Sequence, residues 1–396
     1  MAFQAPAGPL YYIVSLPSSV APSGADPESA LIRDLSSTLS LPSSDDVSPF
    51  PIPNFKIGTL DQLVQQSDEL SKADAQMESA VNRTVDVFKA VYDTKDQVIA
   101  AQVVADKPAE TYIKSFQWNN AKYRIDKPLA ELVDILTKEV FALDADLKAV
   151  YSNYMLAKSN LGAVERKQTG NLSTRSLQDI VKKEQFVVGS EYLETVLIAV
   201  PKALSKQFLR EYETMVPMVV PRSASVVDTD DEFVLYSVTL FKKSIPEFLH
   251  KCRENKLYPR EFKWVDGVVE DLKKEKDKAF ESERRLFGEV VRLARATYAD
   301  AFQAWVHLKS IRVFVESVLR YGLPPDFISV LVKPPTASIQ RAKVALTQKY
   351  GYLAGNAFLK DKKGKLVQED QGLMEYSAIV DTEYEAFVIY DLVIAQ

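Results

Sequence analysis

The chain has 396 residues, of which 46% are hydrophobic and 26% charged, and its formal net charge is −5. These values are typical of a soluble globular protein of two or three domains and give no reason to expect a nucleic-acid partner. No apolar run approaches the ~20 residues of a membrane-spanning helix, so we predict no direct membrane insertion. The single cysteine, Cys252, excludes an internal disulfide framework and indicates a reducing compartment.

The first elements of the chain are a short strand and a long helix. Residues 10–16 are rich in Tyr, Ile and Val, which predicts a strand. Residues 18–53 are rich in Ser and Pro and cannot be regular throughout. Thr59 and Gln62 then form the pattern of a capping box, which predicts a helix start followed by an apolar face that extends to Val91.

A heptad stripe without a polar break follows and predicts a helix of roughly forty residues, about 60 Å long. Pro128 provides a start for this helix and Gly170 a stop. Steps that average ~3.5 residues keep one narrow seam facing a single partner helix. The stripe consists of Leu129, Val133, Leu136, Val140, Leu143, Leu147, Val150, Tyr154, Ala157, Leu161 and Val164.

A second long helix is predicted over residues 266–320, which contain no proline and end before Gly322. Residues 270–285 are densely charged, and buried unpaired charges cost too much for this stretch to lie inside a globule. From Phe287 onwards a heptad pattern returns, with Arg312 as its one polar break. Additional apolar residues flank that later seam and predict burial on more sides: Val290, Ala304, Ile311 and Val318.

About a hundred residues lie between the two long helices and alternate between strand and helix patterns. Residues 192–201 and 233–241 read as strands, and residues 202–215 and 246–254 read as helices, which together predict a small α+β unit. After the second long helix, the strand candidates are residues 328–332, 357–359 and 387–394, around a helix predicted over residues 337–350.

These elements predict a helix-rich α+β protein with the shape of an elongated dumbbell, in which two antiparallel helices form a neck. Residues 1–140 and 289–396 form a foot, residues 141–166 and 263–288 form the neck helices, and residues 167–262 form an inserted head. The alternative is one large domain with both helices in its core. The predicted neck packing joins Leu143, Leu147 and Val150 on the first helix to Leu272, Phe280 and Leu286 on the second.

Candidate catalytic chemistry is sparse. The two histidines, His250 and His307, lie on different predicted helices, and Cys252 is more simply a small residue packed on its helix. Gly364 and Lys365 do not form a phosphate-binding loop, because Leu366 follows where Ser or Thr is required. We predict no catalytic residue, no metal site and no cofactor. The partner-binding candidates are basic: a turn with Lys360, Lys362, Lys363 and Lys365, and the pair Lys182 and Lys183.

Several long runs resemble the C-subunit of the eukaryotic vacuolar-type proton-pumping ATPase (V-ATPase), most closely its fungal members. The runs cover nearly the whole chain in the same order and are therefore far more specific than a short motif. They are FKIGTLDQLV (55–64), FQW (116–118), LDADLKAVYSNY (143–154), ERKQTGNLSTRSLQDIV (165–181), PREF (259–262), FVESVLRYGLPPDF (314–327), GNAFLKDKKGK (355–365) and DTEYEAFVIY (381–390).

The resemblance implies a non-catalytic stator component of a rotary motor. Its head would hold a peripheral stalk, a heterodimer of the E and G subunits, and its foot would meet a second stalk and the N-terminal domain of the a-subunit of the membrane sector. It would link the catalytic and membrane sectors and leave both when the pump disassembles. It would therefore occur in the cytoplasm and at the cytosolic face of vacuolar and other endomembranes.

The resemblance also implies actin and nucleotide binding, which have been attributed to members of the family. The sequence offers no phosphate-cradling loop in support of nucleotide binding. Two alternatives from other classes stay open. One is a coiled-coil scaffold or adaptor of another cytosolic assembly, which would self-associate through its heptads. The other is an enzyme with a cleft between the foot and the neck, which would need a pocket with converging titratable groups.

Overall fold

The computed structural model describes residues 8–21, 26–39, 41–177, 180–262, 268–335, 339–353 and 386–396. Its helices, in chain order, are α1 (Pro27–Thr38), α2 (Leu60–Val91), α3 (Lys95–Ala101), α4 (Ala109–Lys114), α5 (Leu129–Thr169), α6 (Ser205–Glu211), α7 (Ile245–Glu254), α8 (Val268–Tyr321) and α9 (Ile339–Tyr350). Its strands are β1 (Leu10–Pro17), β2 (Val47–Pro49), β3 (Val103–Val104), β4 (Lys107–Pro108), β5 (Leu193–Pro201), β6 (Ser225–Thr229), β7 (Phe233–Phe241), β8 (Tyr258–Arg260), β9 (Phe327–Val332) and β10 (Val388–Val393).

The chain divides into two compact units. Unit 1 contains Met1–Tyr151 and Glu289–Gln396, and unit 2 contains Ser152–Gly288. The chain passes from one unit to the other twice, once within α5 and once within α8. Each unit has its own four-stranded sheet beside helices, which agrees with the predicted helix-rich α+β class. The finer division into foot, neck and head stays a prediction.

Unit 1 is built around a sheet with the strand order β10-β1-β9-β2, in which all neighbours are antiparallel. Strand β1 is central and almost wholly buried, which explains its apolar sequence. One face of the sheet packs against α1 and α9, through side chains such as Leu35 and Leu346. On the other face, the hydroxyl of Ser15 lies 2.7 Å from that of Ser317 in α8. The sheet of unit 1 therefore lies between two helical layers.

Helices α2 and α8 pair in opposite directions within unit 1. Ser67 of α2 donates a hydrogen bond to Glu316, whereas Tyr92, just after α2, accepts one from Arg295 at 2.9 Å. The four residues that flank the α8 seam are all buried, as predicted: Val290, Ala304, Ile311 and Val318. The capping box at the start of α2 is also confirmed, since Thr59 and Gln62 exchange both backbone-to-side-chain hydrogen bonds.

Unit 2 contains the second sheet, with the antiparallel order β6-β7-β5-β8. Helices α6 and α7 cover one face, where Phe208 and Phe248 are fully buried beside Cys252. Residues 172–177 and 180–186 cover part of the other face through Leu172, Leu177 and Val181. In the same unit, the rings of Tyr154 in α5 and Phe287 in α8 are 6.0 Å apart, so the two long helices pack together there.

Most predicted elements are present, with a few differences. The helix predicted over residues 202–215 is shorter, because a 3-10 turn precedes α6 and α6 ends at Glu211. Five short strands, β2, β3, β4, β6 and β8, and the short helices α3 and α4 were not predicted. The strand predicted over residues 357–359 lies outside the described residues. No helix in the described ranges is both long enough and apolar enough to cross a bilayer.

Candidate docking surface

His307 is fully buried in unit 1, where both of its ring nitrogens are engaged. Its Nδ1 atom is 2.7 Å from the carbonyl oxygen of Gln303, and its Nε2 atom accepts a hydrogen bond from the backbone N–H of Asn119 at 3.0 Å. Burial lowers the pKa of His307 to about 4, because the charged form loses its hydration. The aromatic rings of Phe116 and Trp118 pack beside it. His307 is thus a packed helix residue.

Cys252 and His250 face different surroundings although they are two residues apart. Cys252 is fully buried in the core of unit 2, and burial raises the pKa of its thiol to about 12. A buried thiol of this kind is a poor nucleophile, because the reactive species is the thiolate. The His250 side chain is exposed, and its Nδ1 atom lies 3.5 Å from a carboxylate oxygen of Glu254 one turn further on.

A buried cluster of charges in unit 1 was not predicted. Asp74 of α2 accepts a hydrogen bond from Trp305 Nε1 at 2.7 Å, and its other oxygen lies 2.9 Å from Lys309 Nζ and also contacts Arg312. Lys309 donates a further hydrogen bond to the backbone carbonyl of Asp391 in β10 at 2.9 Å. This cluster connects α2, α8 and β10. Among the described residues, no group of His, Cys, Asp and Glu side chains could hold a metal ion.

The residues predicted to pack in the neck differ in their exposure. Leu147 is buried, whereas Leu143, Val150 and Leu286 are partly buried. Phe280 is 53% exposed, so it does not belong to a buried seam, and Ala279 beside it is buried instead. The side chain of Leu272 lies outside the described residues. The packing of the first helix against the second at these positions stays a prediction.

The predicted basic sites fall in two places. Lys360, Lys362, Lys363 and Lys365 lie outside the described residues. Lys182 and Lys183 are exposed in unit 2, at the start of a 3-10 turn that ends at Gln185. Their role in binding a partner stays a prediction. A few residues later in the chain, Val187 and Val188 are exposed apolar residues.

Unit 2 carries an exposed apolar surface at the end of its sheet where β5 begins and β7 ends. We call it the end patch; its members are 39% to 64% exposed and are Val187, Val188, Tyr192, Met218 and Phe241. The backbone N–H of Phe241 donates to the carbonyl of Met218 at 3.2 Å, and that of Lys242 donates to the carbonyl of Tyr192 at 2.9 Å. These backbone bonds bring the segments that contain Tyr192, Met218 and Phe241 together, although they are far apart in sequence.

Three local features lie near these exposed residues. Residues 172–177 and 180–186 pack their apolar side chains over Leu197, Ala199 and Leu235, which lie nearer the middle of the sheet. After this segment, the backbone N–H of Val187 donates to the hydroxyl of Thr195 in β5 at 3.1 Å, and this bond fixes the chain at Val187 against β5. Met218 has a φ of 70°, a left-handed conformation that costs a residue with a side chain about 1–2 kcal/mol.

The exposed charges in the chain segments next to the end-patch residues are mostly positive. The exposed lysines are Lys182, Lys183, Lys242 and Lys243, and the exposed acidic residues of the same segments are Glu184 and Glu191. Lys242 is held in place because its ammonium group donates to the carbonyl of Ser190 at 2.7 Å. An apolar surface with a polar, charged rim is the usual composition of a protein-binding site.

The chain matches the family model for the V-ATPase C-subunit over residues 11–388. It is 46% identical to the C-subunit of the V-type proton ATPase of Saccharomyces cerevisiae, over 87% of this chain and 88% of that protein. It is 42% identical to the C 1 form of this subunit from Rattus norvegicus, and 43% identical to the C 1-A form from Danio rerio. Both of these alignments cover 78% of this chain and 81% of the relative.

One solved structure is the cytoplasmic N-terminal domain of the I-subunit, the homolog of the a-subunit, of V-ATPase. It aligns with 87% of this chain over 97% of its own length. The identity is 15% and the TM-score is 0.28, a score too low to support an argument about fold or partner.

Proposed function

Because this chain belongs to the V-ATPase C-subunit family, we propose that it is a non-catalytic stator component of a vacuolar-type proton-pumping ATPase. In this proposal it bridges peripheral stalks, the heterodimers of the E and G subunits, and the N-terminal domain of the a-subunit of the membrane sector. It links the catalytic sector to the membrane sector, and it leaves both during reversible disassembly. It then occurs in the cytoplasm, and otherwise at the cytosolic face of vacuolar and other endomembranes.

The observation that carries this proposal is the division of the chain into two units, each with its own sheet and core. A bridging protein needs a separate docking module for each partner, so that it can bind one partner before it has bound the other. The two crossings of the chain between the units lie within helices α5 and α8. Helices suit a component that must resist the torque of a rotor, since every backbone hydrogen bond within them is local.

Release from the assembly sets a second requirement, because a component that detaches needs moderate and partly polar interfaces instead of one large apolar surface. Among the described side chains of the charged stretch of α8, those of Lys274, Lys276, Asp277, Lys278, Glu281, Arg284 and Arg285 are exposed, as expected for a stretch that lies in water. The exposed lysines and the limited apolar area beside β5 have a composition suited to contacts of moderate strength.

The experiment uses cells that lack this chain and the same cells after its re-expression. Without the chain, we expect ATP-driven acidification of vacuolar vesicles to be lost, and the catalytic sector to be recovered in the cytosol. Re-expression should restore both. A catalytic sector that stays on the membrane and pumps protons without the chain would contradict the proposal.

A binding measurement checks the bridging role directly. The purified full chain should form a complex with the E–G heterodimer and, independently, with the N-terminal domain of the a-subunit. Binding to neither partner would remove the stator function, whatever the effect of the deletion in cells.

A further inference from the structure

We propose that a set of polar contacts fixes the end of helix α5 to the sheet of unit 2 and transmits force between the helix and the sheet. We call this set the α5 anchor. It joins residues 170–175, directly after α5, to the turn between β6 and β7 and to Arg260 in β8. The inference rests on the proposed function, in which the chain resists the torque of a rotor. It adds the residues that hold one of the two helices in which the chain crosses between the units.

A close turn follows the end of α5. The helix ends at Thr169, and the backbone N–H groups of Thr174 and Arg175 both donate to the carbonyl of Asn171, at 2.9 and 2.8 Å. The turn packs against Gly170, where an added Cβ atom would lie 2.5 Å from Thr174 Oγ1 and 3.2 Å from the backbone nitrogen of Arg175. Glycine is favoured by this close approach, and the turn is therefore held directly against the helix end.

Two acidic side chains bind side chains of this turn. Glu232, just before β7, accepts a hydrogen bond from Asn171 Nδ2 at 2.9 Å. Asp228 of β6 pairs with Arg175, with 2.7 Å between a carboxylate oxygen and Nη2. These contacts connect the chain after α5 to both sides of the turn between β6 and β7.

Asp230 holds the backbone of both segments. One of its carboxylate oxygens accepts the N–H of Leu172 at 2.6 Å, and the other accepts those of Glu232 and Phe233 at 2.8 and 2.6 Å. The pKa of Asp230 lies below its ordinary value: partial burial alone would raise it, but the three N–H donors stabilise the carboxylate. One side chain thus fixes the turn between β6 and β7 and the chain after α5 to each other.

Arg260 holds the same segment from another strand. One end of its guanidinium group donates to the carbonyl of Leu172 at 3.1 Å, and the other end donates to the carbonyl of Arg175. A planar guanidinium group reaches two acceptors in a fixed geometry, which an ammonium group does not reproduce. Strand β8 is the last element before α8. Arg260 therefore connects the segment that leaves the first long helix to the strand that leads to the second.

The contacts of the α5 anchor suit the transmission of force. Leu172 and Leu177 also pack on the sheet, but apolar contacts are non-directional. Hydrogen bonds, in contrast, require a defined distance and angle. Bonds of this kind from two strands and a turn resist sliding of the helix end over the sheet. If they open, the sheet can stay folded while α5 moves relative to it, and a stator then yields under torque.

The test compares two variants of the full chain, each of which removes a cation that donates to a backbone carbonyl within unit 2. The anchor variant is Arg260→Met, which keeps a long apolar side chain and removes both bonds. The matched control is Lys251→Met; this ammonium group, in α7, donates to the carbonyl of Met215 at 2.7 Å on the helix-covered side of the sheet. A third variant, Arg260→Lys, keeps the charge and should recover part of the effect.

Hydrogen exchange of the purified full chain, followed by mass spectrometry, measures the local effect. In Arg260→Met we expect the amides of residues 170–177 to exchange about tenfold faster, because hydrogen bonds to a charged donor are lost. The control should leave this segment within about twofold of the parent. Unchanged exchange in the anchor variant would show that Arg260 does not hold the chain after α5. If Arg260→Met does not fold, Asn171→Ala gives the same comparison, because it removes the bond to Glu232 from a partly exposed turn.

Proton pumping by vacuolar vesicles measures the transmission of force. The stator experiences the largest torque when the pump works against a large proton gradient, and little when an uncoupler removes that gradient. Per assembled catalytic sector, we expect the Arg260→Met vesicles to hydrolyse ATP at the parental rate with uncoupler present. Without uncoupler, they should reach a smaller steady-state proton gradient than the parent, whereas the Lys251→Met vesicles should match it.

The other outcomes overturn defined parts of the inference. Faster exchange in residues 170–177 with an unchanged proton gradient would show that the contacts of the α5 anchor are only structural. An equal loss of gradient in Lys251→Met would assign the effect to a general weakening of unit 2. If the parent chain itself restores neither assembly nor pumping, it is the proposed function that fails, and the exchange measurement still tests the contacts of the α5 anchor.

Discussion

The buried charge cluster of unit 1 gives the sharpest prediction about stability. The change is Asp74→Asn, which keeps the side-chain volume and leaves an oxygen to accept the hydrogen bond from Trp305. It removes the negative charge beside Lys309, whose side chain is only 5% exposed. That ammonium group keeps its hydrogen bond to the carbonyl of Asp391 and its position 5.2 Å from the centre of the Trp305 ring. Lys309 would then be a buried cation that has lost the carboxylate it contacts directly, while the carboxylates of Glu78 and Asp391 lie further away.

The expected cost follows from the burial of both partners. Removing one member of a buried ion pair typically costs about 3–5 kcal/mol, because the other charge stays buried without compensation. The carbonyl of Asp391 reduces this cost, and Arg312 can still use Ser71, at 3.2 Å, and the ring of Tyr390. We therefore expect Asp74→Asn to lower the free energy of unfolding by about 3 kcal/mol. For a unit of this size it corresponds to a melting temperature lower by about 6–12 °C.

The assay is thermal unfolding of the full chain, followed by circular dichroism and calorimetry. The matched control is Asp134→Asn, which removes a carboxylate that pairs with Lys138 one turn away, with both side chains more than half exposed. Such exposed pairs contribute little, so the control should melt within ~1–2 °C of the parent. Equal melting temperatures for the Asp74 and Asp134 variants would refute the reasoning. A second variant, Lys309→Met added to Asp74→Asn, should recover part of the loss, because no buried cation remains.

Three further predictions concern other buried residues. Because burial lowers the pKa of His307 to about 4, the unfolded chain takes up the proton first, so stability is full above about pH 6.5 and falls as the pH drops towards 4. His307→Gln should make this fall smaller in chemical denaturation between those pH values, and an unchanged pH profile would contradict it. Cys252 should react with a thiol reagent only when unit 2 opens, so rapid labelling of the native protein would refute its burial. Leu147→Asp would bury an unpaired carboxylate and should lower the melting temperature by several degrees, whereas parental melting would show that Leu147 is not packed.

The elements that depend on near neighbours could be predicted from the sequence. The capping box at Thr59 needs only Gln62, three residues away, and the α5 stripe needs only steps of three and four. All stripe positions of α5 are buried or partly buried in the structure, whereas their packing against a single partner helix stays a prediction. The stop before Gly170 and the stop before Gly322 also agree, and Gly322 has the left-handed φ of 86° that favours glycine at a helix end.

Features that depend on distant residues could not be predicted. Arg312 is a polar residue that interrupts the heptads of α8. Its partner Asp74 is 238 positions away in the sequence, so the pattern around Arg312 gives no sign of their contact. Phe280 continues an apolar pattern, yet it is more than half exposed, because the neighbouring Ala279 takes the buried position. A heptad spacing of ~3.5 residues does not determine which of two adjacent apolar residues is the buried one.

The end patch could not be recognised for the same reason. Tyr192 and Phe241 are ordinary residues at the ends of predicted strands, and Met218 lies in a segment without a regular pattern. Only the antiparallel register of β5 and β7, which places Leu193 opposite Phe241, brings these regions together. A sequence shows that a strand ends in an aromatic residue, but whether another segment covers that residue depends on the tertiary fold.

The position of β1 in its sheet has a consequence for synthesis on the ribosome. Both neighbours of β1 come from much later in the chain, β9 at Phe327–Val332 and β10 at Val388–Val393. At a typical rate of ~5–20 residues per second, about 300 further residues take roughly 15–60 s to translate before β9 is complete. During this time β1, with its apolar sequence, has no strand to pair with, whereas all of Ser152–Gly288 has already been made. The nascent chain thus carries an unpaired apolar strand of the kind that chaperones bind, and unit 2 can fold before unit 1 closes.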